Sequence, residues 1–124
     1  MNPRGAAGSL AAGRAALGLA ILIAPRRASS RWLGEDAAHP TVRYLARSLG
    51  VRDLVLGILA LCTLDDAGVA SRVQAACATA DSIDVLATIA ARSRLPTMGA
   101  AGTIAIAGAS AAAGFHLSRR IAAD

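Results

Sequence analysis

Four apolar stretches, at about residues 6–24, 44–64, 69–91 and 97–117, set the strongest limit on how this chain folds. A helix needs about 20 predominantly apolar residues to cross the hydrocarbon core of a bilayer, and each stretch comes close to that length. Their ends carry punctuation of the expected kind: Pro25 after the first, Pro40 before the second, Asp65 and Asp66 after it, and Pro96 before the fourth. No stretch alternates with the period of a strand, and Gly and Ala are too frequent inside them for a sheet. The hydrophobic 55% of the chain is Ala, Leu, Ile and Val with a single Trp, Tyr and Phe. A soluble core of this size normally uses more aromatic volume, whereas small side chains suit helices that touch backbone to backbone. The expectation is an all-α chain, a four-helix transmembrane bundle forming one domain over residues 1–124.

Two rivals are weighed against it. Arg4 ahead of an apolar stretch resembles the start of a signal peptide, but Arg14 interrupts the stretch and no A-x-A site precedes Pro25, so the segment is expected to stay in the mature protein. A soluble Ala-rich bundle is the second rival, because the fourth stretch is only marginally apolar. Against it, Trp32, Tyr44 and Phe115 all fall in connections or at segment ends, where an interfacial belt places aromatics. Small residues recur four apart in the fourth stretch (Gly99 and Thr103, Ala101 and Ala105, Gly108 and Ala112), as close packing of membrane helices requires. All thirteen basic residues are Arg, which reads as codon usage more than chemistry. A slight Arg excess in the first and third connections, from Arg26, Arg27, Arg31, Arg92 and Arg94, places both termini outside by the positive-inside rule.

The chemistry that such a bundle must explain is the charge within its spans. Arg14 in the first segment, Arg52 and Asp53 in the second, and Asp81 and Asp84 in the third fall at similar depths, using a rise of about 1.5 Å per residue. Cys77, Asp81, Asp84 and Thr88 share one helical face, and Gly50, Asp53 and Gly57 form a stripe on another, so both faces are expected to point inward. Arg52 and Asp53 point about 100° apart on a helix, so each is expected to look toward another helix. Asp84 and Asp81 are the candidate partners, by depth, of Arg52 and Arg14. An ionisable residue within a span costs about 2.5–3.5 kcal/mol even on the lenient insertion scale and is a candidate functional group, with the fixing of helix register as the competing explanation.

The segments "GRAALGLAILIAPRR" and "LARSLGVRDLVLGILAL" resemble those of the uncharacterised small four-helix integral membrane proteins common in actinobacteria, whose second helix carries a similar Gly-x-Arg-Asp-x-x-x-Gly core. The resemblance implies a membrane protein and assigns no catalytic residue.

No other motif competes. Cys62 and Cys77 lie at different depths and are expected to be packing thiols, while His39 and His116 fall at opposite ends with capping or interfacial roles. No phosphate-cradling Gly loop, nucleophile elbow or zinc spacing is present, so no cofactor or metal is expected. The Arg26, Arg27 and Arg31 cluster beside Trp32 suits anionic lipid headgroups better than nucleic acid. The expected partners are the lipid bilayer and, through small-residue helix faces, a second copy or another membrane protein. Three function classes remain. A structural or interaction subunit comes first, since it asks for nothing the sequence lacks. A membrane-embedded isomerase or cyclase would use an Asp as general acid, and a proton-coupled transporter would use an Asp as carrier. A dry, filled centre marks the first, a lipid-like cavity at Asp81 and Asp84 the second, and a watery path to one face the third.

Overall fold

A computed structural model describes residues 2–123 as five α-helices: α1 (Pro3–Ile23), α2 (Pro25–Leu33), α3 (Pro40–Cys62), α4 (Ala67–Ala91) and α5 (Thr97–Ala122). Single 3-10 turns at Gly34–Ala38 and Arg92–Arg94 complete the connections, and the described residues contain no strand. Helix starts are built by side chains that supply the missing acceptors. Asn2 Oδ1 accepts from Gly5 N at 2.6 Å, His39 Nδ1 from Thr41 N at 3.3 Å, and Asp66 Oδ1 from Val69 N at 2.9 Å. Pro3, Pro25 and Pro40 each occupy the first helical position, where a missing N–H costs nothing.

The long first connection therefore differs from the four-segment expectation. Pro25 closes α1 and at once opens α2, a two-turn helix that ends at Gly34, whose positive φ of 57° a glycine adopts without steric cost. Arg26, Arg27, Ser30 and Arg31 face outward from α2, while Pro25 and Ser29 are buried. By length and composition three helical stretches could cross a membrane: α1, α4 continued through Arg94, and α5. α3 is 23 residues long but carries Arg43, Arg47, Arg52 and Asp53, and is not among them.

The long helices pack as two pairs, α1 with α3 and α4 with α5, and α3 and α4 touch only sparsely despite their short connection. The first pair closes on a glycine seam. A Cβ on Gly18 would lie 2.4 Å from Leu54 N, one on Gly50 would lie 2.8 Å from Gly18 O, and one on Gly57 would lie 2.6 Å from Ala15 N. Backbones this close exclude any side chain, so the seam sets the register of α1 against α3. The second pair closes at Gly114, where a Cβ would meet that of Ala78 at 2.9 Å. The small-residue spacing read in the fourth stretch does not make this contact: Ala101, Ala105 and Ala112 face outward, because α5 docks through Ala111, Gly114, Ser118 and Ile121 instead. The pairs are pinned together at the end bearing both termini, where Ala7, Ala70 and Ile121 are buried beneath Leu64, Ala67 and Leu117. At the other end α2 lies across the start of α5, with the Trp32 carbonyl over Gly99 and its indole Nε1 over Gly102.

Candidate functional site

The glycine seam decides which groups meet at mid-height. Gly50, Asp53 and Gly57 lie on one face of α3, so seating the two glycines on α1 turns Asp53 toward Arg14. Arg14 Nη1 donates to Asp53 Oδ1 at 3.2 Å, and Arg14 Nη2 donates to Asp81 Oδ2 on α4. Arg52 presents its guanidinium edge to Asp84 on α4, with Nη1 to Oδ1 at 2.9 Å and Nη2 to Oδ2 at 2.6 Å. This two-point fork is the strongest geometry available to an arginine and a carboxylate. All five charges located by depth in the sequence thus belong to one network joining α1, α3 and α4.

One expectation needs correction. Arg52 also donates to its own neighbour, with Nη2 and Nε lying 3.1 Å and 3.3 Å from Asp53 Oδ1. The Cβ atoms diverge as expected, but the long Arg side chain folds back across the helix surface and reaches both carboxylates. Asp53 Oδ1 consequently accepts from two arginines at once.

Burial divides the network. The Arg14, Asp53 and Asp81 side chains are 9%, 11% and 7% exposed, whereas Arg52 and Asp84 are 33% and 29% exposed. Cys77, one turn before Asp81, is a buried free thiol, Cys62 is exposed, and Thr88 returns its hydroxyl to the Asp84 carbonyl at 2.7 Å. His116 is exposed on α5. Among the described residues no group of three or more His, Cys, Asp or Glu is arranged to hold a metal ion.

Beside the network the two helix pairs diverge and leave a cleft of about 730 Å³. Its walls are apolar, with Leu17 and Ile21 from α1, Leu45 and Leu49 from α3 and Ile106 from α5, while Arg14, Asp53, Asp81 and Asp84 supply the charged part of the lining. Trp32, Leu33 and Ser29 of α2 close off part of it. Such a volume suits a drug-sized or lipid-like molecule, and apolar walls with a few convergent polar groups are the usual form of a small-molecule site. The contributions of α2 and α5 escape a reading by depth. Trp32 signalled an interfacial anchor, Thr103 only a place in the small-residue spacing, and Ile106 nothing beyond its apolar segment.

No known protein family, curated protein or solved structure matches the chain, so its function is argued from this geometry.

Proposed function

We propose that this chain is a multi-pass protein of the cell membrane, with α1, α3, α4 and α5 crossing the bilayer and α2 lying at its surface, and that it holds a lipid-like small molecule in the cleft. The observation that carries the reading is the junction of an apolar cleft of about 730 Å³ with a largely buried ion network. A subunit with a purely structural role would have a filled centre, and the same network would then serve only to fix register.

The membrane part of the proposal draws on the outer surface. Leu19, Ile23, Val55, Ile58, Ile83 and Leu86 are exposed large apolar side chains spread over three helices, a distribution that water penalises and lipid accepts. α3 joins the spanning set because Arg52 is neutralised from within and Asp53 is buried, while Val51, Val55, Ile58 and Leu59 face outward and the exposed Arg43 and Arg47 are confined to its N-terminal part. On α2 the exposed Arg26, Arg27 and Arg31 suit headgroup phosphates while Trp32 and Leu33 reach inward, as expected of an interfacial helix.

Alkaline carbonate washing of membranes, followed by native mass spectrometry of the extracted protein, tests both parts. The chain should stay in the pellet and carry a bound amphiphile that the cleft-filling variant Ala107→Trp loses. Release by carbonate would remove the membrane assignment. A native protein that, like the variant, shows only its own bare polypeptide mass would remove the ligand.

A further inference from the structure

The charge balance of the network indicates the kind of molecule that the cleft takes. Two arginines face three aspartates, so with every group ionised the network carries one uncompensated negative charge, and no further ion pair among the described residues involves these five. The surplus is presented to the cleft. Arg52 is absent from the lining, and both Nη atoms of Arg14 are already committed to Asp53 and Asp81. The carboxylates retain capacity: among the described residues Asp53 Oδ2 and Asp81 Oδ1 accept no hydrogen bond, although both residues line the cleft and Asp81 is only 5% exposed.

We propose that the cleft binds an amphiphilic organic cation, its positive head against Asp53 and Asp81 and its apolar body along Leu17, Leu45, Leu49 and Ile106. The proposal rests on the ligand-binding reading above and adds the sign of the ligand. An anionic head would have to draw Arg14 away from two carboxylates, leaving Asp81 buried without a counterion and Asp53 to Arg52 alone, which is the costly way to open such a pair. A neutral amphiphile would strip water from the surplus charge and return nothing for it. A cation supplies the missing charge beside the two open oxygens, while its apolar part covers Leu45 and Ile106, which line the cleft and are exposed side chains.

Tetraphenylphosphonium and tetraphenylborate, nearly equal in size and shape and opposite in charge, separate sign from greasiness. Equilibrium dialysis with the full chain in a neutral maltoside detergent should show one saturable phosphonium site per chain, with borate only partitioning as it does into empty micelles. Asp81→Asn should weaken phosphonium binding about thirtyfold or more, the loss typical of truncating one partner of a buried charge pair. Ala107→Trp, which fills the cleft from α5 and leaves all five charged residues in place, should abolish it. Saturable binding of both ions, lost in Ala107→Trp, overturns the cation assignment and leaves the cleft as a ligand site. Binding of neither ion overturns it too, and the adduct carried by the extracted protein then decides the broader reading separately. Phosphonium binding unchanged by Asp81→Asn also overturns it. If that variant does not fold, the preference for phosphonium over borate and its loss in Ala107→Trp decide the question alone.

Discussion

Arg14 is the single side chain whose removal should damage this bundle most, and the network geometry gives the size of the effect. Its guanidinium reaches Asp53 on α3 and Asp81 on α4, with all three side chains about nine-tenths buried. Arg14→Leu takes away the only ion-pair partner that Asp81 has among the described residues and leaves Asp53 to Arg52 alone. Breaking a buried pair from one side costs about 3–5 kcal/mol, and about 3 kcal/mol is expected here because Asp53 keeps its second arginine. Asp81→Leu strands Arg14 less completely, since the 3.2 Å contact to Asp53 survives, and should cost the same or somewhat less. The double variant removes one charge of each sign and returns the network to its native balance. It should lose about 3 kcal/mol or less, well short of the roughly 6 kcal/mol sum of the single losses, which is a coupling of about 3 kcal/mol. SDS-driven unfolding in maltoside micelles, followed by circular dichroism, measures all three variants. The matching cycle for Arg52 and Asp84, whose side chains are about a third exposed, should show a smaller coupling of about 1 kcal/mol because solvent screens it. Additivity within about 0.5 kcal/mol for Arg14 and Asp81 would refute the reasoning.

Two further outcomes test the frame around the site. Gly50→Ala should destabilise by about 1–3 kcal/mol in the same unfolding assay, since its Cβ would lie 2.8 Å from Gly18 O and 2.9 Å from Leu22 N. Gly13→Ala, where a Cβ meets nothing within 4 Å, serves as the control, and equal behaviour of the two would dismiss the seam. Gly99→Ala should dislodge α2, because the new Cβ would fall 2.0 Å from the Trp32 carbonyl oxygen. Trp32 is the only tryptophan, so its emission reports directly, and an unchanged spectrum and acrylamide quenching would mean that α2 is not held there.

The meeting of the five charges was legible because depth and helical face are both periodic properties of sequence. Counting residues along each span placed Arg14, Arg52, Asp53, Asp81 and Asp84 in one layer, and the Gly50, Asp53 and Gly57 spacing pointed Asp53 at a neighbouring backbone. The bend of Arg52 onto Asp53 was not legible, since a side chain with four rotatable bonds is not bound by the direction of its Cβ. α2 was missed for a different reason. Pro25 was read as a stop alone, although proline favours the first turn of a helix as much as it ends the one before, and Gly34 marked where the new helix would finish. The outward turn of Ala101, Ala105 and Ala112 was hidden by abundance: α5 offers small residues on every side, and the match of Gly114 with Ala78, with Ser118 bonded to Ser71, selects a face. The cleft depends on how far two helix pairs splay, which no single helix encodes.

The pairing of α1 with α3 and α4 with α5 gives the molecule the construction of a heterodimer whose subunits happen to be covalently joined. Each half owns its closing seam, and only the residues between Cys62 and Ala67 link them along the chain. The halves also differ in the charge they bring to the middle. The first contributes Arg14, Arg52 and Asp53 and is positive, while the second contributes Asp81 and Asp84 and is negative. Their mutual recognition is therefore electrostatic at mid-height and largely apolar at the end where Ala7 and Ala70 meet Ile121, with the buried Gln74 donating to the Ala7 carbonyl. The short tether then has only to raise the local concentration of two halves whose faces are already complementary.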